Sequence, residues 1–381
     1  MRDTFAAERR GVVLDLPTSH RVPVTWIRAN ASAPIRWRTL SEVLPPGSAT
    51  KADFKALRDE SLEYQGVRDT VKRQKDDGSW GGNILGVAPD KSLGIKEPGS
   101  VPNFRHLLEL GVGTDHRAIQ LGSRLFFRIL SRDPDPALYF EYNKLVKKDP
   151  ECVEWARGLM REGVTAALCQ AGMDEDPRVR GSAHRIATAV SQFLRSQMVE
   201  DPFIREGNKY VLHPEARPPT LFTVEMFSFM PSLQRERAGL LERLIQYLTQ
   251  PAPKKNYTIK AGASNVAPVF HLLGDPLELD SAGRPKDLPF ALHWLELLAR
   301  MGMLEASHSA QRALSRIAKD CDNDGVWTQK NLRAFPKSPS QLADHAFPLE
   351  IDTKSTEARR ADVTFRMALI AKLAGWELEY S

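Results

Sequence analysis

Gln74-Lys75-Asp76-Asp77-Gly78-Ser79-Trp80-Gly81 has a looser copy late in the chain, Asp320-Cys321-Asp322-Asn323-Asp324-Gly325-Val326-Trp327. Each string follows a segment with apolar residues at helical spacing, and each ends in Asp-Gly-x-Trp. An Asp-Gly pair makes a tight turn, because Gly takes positive φ cheaply and Asp bonds its own backbone. The Trp can then pack over a helix end, where a Gln side chain can reach the unpaired backbone groups. Gln74, Asp77, Gly78, Trp80, Gly325 and Trp327 therefore read as structural staples. Two copies of one ending point to a helical repeat.

Between the copies the helical segments come in pairs. His106–Leu110 and Arg117–Leu130 flank a turn at 111–115, and Trp155–Ala171 and Val179–Val199 flank a turn at 172–177. Leu221–Phe229 pairs with Gln234–Leu248, and Phe290–Met301 with Ser307–Lys319. A last segment, Val363–Ala374, ends at Gly375-Trp376. Asp176 or its neighbour can cap the helix that follows, and Pro177 suits a first helical turn. Lys51 opens the first helical segment, while 81–103, rich in Gly and Pro, reads as a long loop. Period-2 alternation is scarce, so almost no sheet is expected. Residues 1–50, with Pro34, Pro45 and Pro46, read as an irregular N-terminal arm, leaving 51–381 as one all-α domain of about five to six hairpins.

Hydrophobic content of 42% and charged content of 27% over 381 residues fit a globular chain with a sizeable core. No apolar run approaches the roughly 18 residues of a membrane span. The arginine-rich start lacks an apolar stretch, so no secretory leader is expected. Cys152, Cys169 and Cys321 lack C-x-x-C spacing, which suits a reducing, cytoplasmic setting. The net charge of +5 is dispersed. It suits an anionic small molecule or peripheral contact with a lipid surface, and nucleic acid is not expected as a partner.

The unit of helix, Leu-Gly with an acidic turn, helix and Q-x-x-D-G-x-W resembles the repeat of the squalene/oxidosqualene cyclase and protein prenyltransferase β-subunit superfamily. The residues that carry the resemblance are Leu110-Gly111 with Asp115, Ala171-Gly172 with Asp174 and Asp176, Gln74 to Gly82, Asp320 to Trp327, and Asp362-Val363-Thr364. The resemblance implies an α/α toroid whose inner helices line a central apolar cavity. It also implies an isoprenoid or other long apolar substrate, either cyclised or handled as its diphosphate. Fold alone does not settle function. α/α toroids also host glycosidases and polysaccharide lyases, which need paired carboxylates and aromatic platforms. A non-catalytic interaction scaffold is the third reading.

The superfamily's reactive motifs are altered here. No D-x-D-D acid string occurs; Asp174-Glu175-Asp176 reads as a solvated cap. The D-x-C zinc pair of prenyltransferases aligns with Asp320 and Asp322, so aspartate replaces the thiolate. The zinc-binding histidine falls near Val363, beside Asp362. Zinc is therefore disfavoured. Asp320, Asp322 and Asp324 instead match the opening of a D-x-D-x-D-G loop that could hold Ca²⁺ or Mg²⁺, although Asn331 stands where the closing acid belongs. Asp322 and Asp362 are candidate catalytic acids on the same alignment. Glu225, inside the apolar run Leu221–Phe227, is a third: a buried carboxylate is costly unless it meets an arginine or turns to solvent. His271 and His293 read as satisfied histidines of the core or rim, and Asp344-His345 as part of a loop.

Overall fold

In the computed structural model, residues 16–86, 98–131, 135–329 and 332–381 are described. The chain is mostly helical with a minor sheet part. Strand β1 (Ser19–Val22) leads into α1 (Val24–Asn30) and α2 (Ala33–Arg38), which runs into a π turn at Thr39–Val43. There follow α3 (Lys51–Leu62), α4 (Gln65–Lys72), α5 (Ser100–Glu109), α6 (Arg117–Leu130), α7 (Asn143–Lys148), α8 (Cys152–Gln170) and α9 (Pro177–Leu194). Strands β2 (Phe203–Glu206) and β3 (Lys209–Leu212) precede α10 (Leu221–Ser228), α11 (Pro231–Glu236) and α12 (Ala238–Leu248). Strands β4 (Tyr257–Ala261) and β5 (Ser264–Val266) precede α13 (Leu288–Arg300), α14 (His308–Lys319), α15 (Thr356–Leu373) and β6 (Glu377–Tyr380).

The helical pairs expected from periodicity are present, with capping residues at several of their starts, but α5 begins at Ser100, inside the stretch 81–103 read as a loop, of which 87–97 lie outside the described residues. Asp176 accepts from the Arg178 amide with Pro177 in the first turn, and Asp287 accepts from Phe290. Two further expectations need correction. The arm at 1–50 is not irregular where it is described: it holds α1 and α2, and Pro34, which read as a breaker, sits in the first turn of α2. Sheet is also present, in two small pieces. The order β2-β3-β4-β5 forms one, and β1 pairs in parallel with β6, Ser19 opposite Glu377. These strands have three to five residues each, too little for an alternation pattern to register.

Helices α10 and α13 are buried along almost their whole length, α15 over most of its own, as their apolar sequences require. Helix α8 packs on α5 and α10, α10 on α13, and α13 on α15. Helix α15 meets α2 and the π turn, α2 packs on α3, α3 on α4, and α4 on α5. Helices α6, α9, α12 and α14 cover the outside, burying one face each. Among the described residues no helix is long and apolar enough to cross a membrane.

The two Asp-Gly-x-Trp turns share their backbone bonding. Gly78 N donates to Lys75 O and Gly325 N to Asp322 O, at 2.9 and 3.0 Å. Trp80 N donates to Ser100 Oγ at the start of α5, and Trp327 N to Thr364 Oγ1 on α15. Both indoles are buried, and Gln74 Nε2 donates to Gly78 O and Ala118 O. Gly78 and Gly325 both have φ of +88°, and a Cβ would strike Leu121 O or Arg21 O respectively. The staple reading holds for both.

Candidate functional site

Where α2, α5, α8, α10, α13 and α15 approach one another, the interior is ionic. Arg38 pairs with Glu109 and, at 2.5 Å, with Glu42. Arg366 bridges Glu109 (2.6 Å) and Glu296, and Arg300 reaches Glu296 at 2.8 Å. Gln170 donates to Glu109 (2.7 Å) and accepts from Arg105 Nε (2.6 Å). Arg105 then pairs with Glu225 at 2.5 Å, and His293 Nε2 stands 2.9 Å from the same carboxylate oxygen. Burial pushes the Glu109 and Glu296 carboxyls up. Arg366, helped by Arg38 for one and Arg300 for the other, more than offsets it, holding Glu109 well below the usual range and Glu296 at about 2.

The segment 338–352 closes over this network. Ser338 and Ser340 donate to Asp287 at the start of α13. His345 O accepts from His106 Nδ1 at 3.0 Å, and Ala346 O from Arg366 at 2.6 Å. The amides of Leu349 and Glu350 donate to Asp362, and Tyr64 Oη donates to Leu349 O and accepts from Ile351 N. Ala343, His345, Ala346, Phe347 and Leu349 are buried in consequence. The segment thus acts as a plug.

The sequence candidates fall in separate places. Asp322 Oδ1 accepts from the Asp324 and Val326 amides, so it shapes its own turn. Asp320 is neutralised by Arg316 and by Arg284 at 3.8 Å, and Asp324 is exposed beside Arg21. The expected cation loop is therefore not assembled; Asn331 lies outside the described residues. Asp362 is wholly buried, and its carboxylate holds the plug rather than facing a cavity. Burial raises its pKa to about 6 against the pull of the two amides. Asp320, Asp322 and Asp362 do not fit the zinc of the superfamily either, since each is committed to a different partner. Glu225 meets the arginine that its apolar surroundings require. Among the described residues, three His, Cys, Asp or Glu donors converge only at Glu225, His293 and His345.

A second group, which the sequence reading missed, lines a cleft of about 580 Å³ between α8 and the four-stranded sheet. One wall is a face of α8, carrying Glu154, Trp155, Gly158 and Glu162; the other carries His213, Arg217, Lys260 and His271. Glu162 accepts from Thr220 Oγ1, the cap of α10, at 2.6 Å. Burial raises its pKa to about 7, opposed by that hydroxyl and by Arg217. His271 is pushed down to about 4, first by burial and then by Arg217. Glu154, four residues before Gly158, has an exposed side chain. A Cβ on Gly158 would meet nothing within 4 Å, so the space between the two glutamates is open. The signal in sequence was E-x₃-G-x₃-E, which places all three residues near one helical stripe.

Another cavity, of about 800 Å³, lies where α13 begins and α14 ends. Its walls carry Arg284, Lys286, Arg316, Arg333 and Lys337 around Leu288, Ile317 and Trp327. No family model matches the chain, and no curated protein or solved structure matches it.

Proposed function

We propose that the packing order from α2 through α15 closes an α/α toroid and that the chain is a hydrolase acting on a glycosidic bond in the cleft beside α8. The observation that carries this reading is Glu162, an acid kept protonated near neutral pH in a concave site, with the exposed carboxylate of Glu154 beyond the gap at Gly158. Glu162 would donate its proton to the leaving oxygen as the bond to the anomeric carbon breaks. Glu154 would take a proton from the water that adds to that carbon. Eight residues of helix span about 12 Å. That backbone rise is greater than the roughly 6.5–9.5 Å of an inverting acid–base pair, so the two carboxyls must lean together over Gly158 to hold a water between them; the roughly 5–5.5 Å of a nucleophile–acid pair is farther still from reach, and the reading is inversion. Trp155 at the wall supplies an apolar face for a sugar ring.

The test is incubation with a panel of oligosaccharides, read by mass spectrometry and by proton NMR of the anomeric signal. Hydrolysis with inversion, lost in Glu162→Gln, is expected. No cleavage and no binding of any panel member, or full activity in Glu162→Gln, would sink the reading.

The cationic cavity favours a second reading, binding of an isoprenoid diphosphate or a similar amphiphilic phosphate. Five cations surround one acid, Asp320, above an apolar floor. The buried ionic centre opposes the apolar central chamber expected from the resemblance, so the ligand would sit at this outer pocket. Calorimetry with prenyl diphosphates, with and without Mg²⁺, decides it; wild-type binding that survives Arg333→Glu with Lys337→Glu would count against the pocket.

A further inference from the structure

Three donor groups meet where the plug touches the Arg105 end of the ion-pair ladder, away from the cleft. Glu225 lies on α10, His293 on α13 and His345 on the plug, and their donor atoms all lie within 4.8 Å of one another. All three residues are at least nine-tenths buried. Glu225 Oε1 is occupied by Arg105 and His293, but Oε2 has no partner, and neither does His345 Nε2. A buried acceptor left alone bears its full desolvation cost, so two in one place call for a shared partner. The imidazoles stand edge to face, centroids 4.8 Å apart.

We propose that Glu225, His293 and His345 bind one divalent transition metal of the zinc class, which fastens the plug to α10 and α13. Two imidazoles and one carboxylate form a donor set suited to zinc, with a fourth position open. Metal–nitrogen bonds of about 2.0–2.1 Å require the donors to close to about 3.4 Å, a contraction within reach of side-chain rotation. On binding, His293 Nε2 exchanges its contact with Glu225 for the metal, and Glu225 ligates through Oε2. Arg105 Nη2, also buried and unpartnered, is left to donate to the water or hydroxide in the open position. A hydroxide there offsets the charge that the ion adds beside Arg105. The site differs in every donor from the Asp320-Asp322 alignment, and it does not rest on the hydrolase reading.

The test uses the full chain loaded with Zn²⁺, desalted and assayed by elemental analysis, with Co²⁺ as a spectroscopic substitute. About one zinc per chain is expected, together with visible Co²⁺ bands of a low-coordinate site and a lower Tm on chelation. His345→Gln, on the plug rather than a helix, should lose the metal while keeping the wild-type far-ultraviolet circular dichroism. X-ray absorption of the zinc-loaded wild type should show imidazole scattering, a readout that does not depend on any variant folding. A folded wild type that retains no zinc overturns the proposal. So does zinc with no imidazole scattering, or His345→Gln that folds and binds as much as wild type.

Discussion

The ionic centre and the α8 cleft use the same residue types to opposite ends. In the centre, Glu109 and Glu296 are each matched by arginines from neighbouring helices and stay charged. In the cleft, Glu162 is desolvated with only a hydroxyl at bonding distance, so it keeps its proton to about pH 7. Burial alone therefore does not mark a reactive acid here, and neither does a raised pKa, since Asp362 is raised to about 6 while holding the plug; a desolvated acid without a bonded cation at the wall of an open cleft does. The two regions should also respond oppositely to pH. Glu296, at about 2 when folded against 4.5 ordinarily, contributes stability above pH 4.5 that is lost as pH falls toward 2. Glu162, raised from 4.5 to about 7, contributes stability below pH 4.5 that is lost as pH rises through 7.

The strongest way to break this contrast is Arg366→Met, which leaves Glu109 and Glu296 short of their shared partner. A loss of about 3–5 kcal/mol is expected in urea unfolding; a loss below about 1 kcal/mol would mean the network is not the fold's anchor. Next comes Glu162→Gln. It should lower turnover of a cleaved sugar by roughly 10²–10⁴-fold, and chemical denaturation between pH 4.5 and 7 should show a flatter dependence than wild type, since the titrating group is gone. An unchanged slope would place the raised acid elsewhere. Gly158→Ala is subtler: alanine favours the helix by about 0.5–1 kcal/mol, yet its methyl enters the gap between the glutamates. Higher Tm with reduced turnover is the expected pair of results, and undiminished turnover would remove Gly158 from the site. Glu154→Gln should change stability by no more than about 0.5 kcal/mol, because the side chain is exposed, while still depressing turnover.

The hairpins were legible because apolar residues recur at helical spacing and because Asp-Gly-x-Trp closes two of them with local chemistry. Helices α1 and α2 were hidden by prolines that start helices as readily as they end them. Glu225 could be flagged from its apolar neighbours, but its partner Arg105 lies 120 positions earlier, beyond any local pattern. Glu162 was overlooked for a similar reason: its glutamate-glycine-glutamate spacing was visible on α8. What turns that stripe into a cleft is the wall built by β3, β4 and Arg217, whose strands are too short to announce themselves. Asp322 misled because a metal loop and a self-bonded turn share one residue pattern.

The parallel pair of β1 and β6 has a mechanical consequence. A pull on the chain before Ser19 and after Tyr380 enters the pair at opposite ends, so its backbone hydrogen bonds are loaded together, in shear, and none can unzip first. Gly325 lies against Arg21 O just behind that seam, so the strand is backed as well as bonded. The helical body between the two strands is thereby shielded from tension until the seam itself gives way.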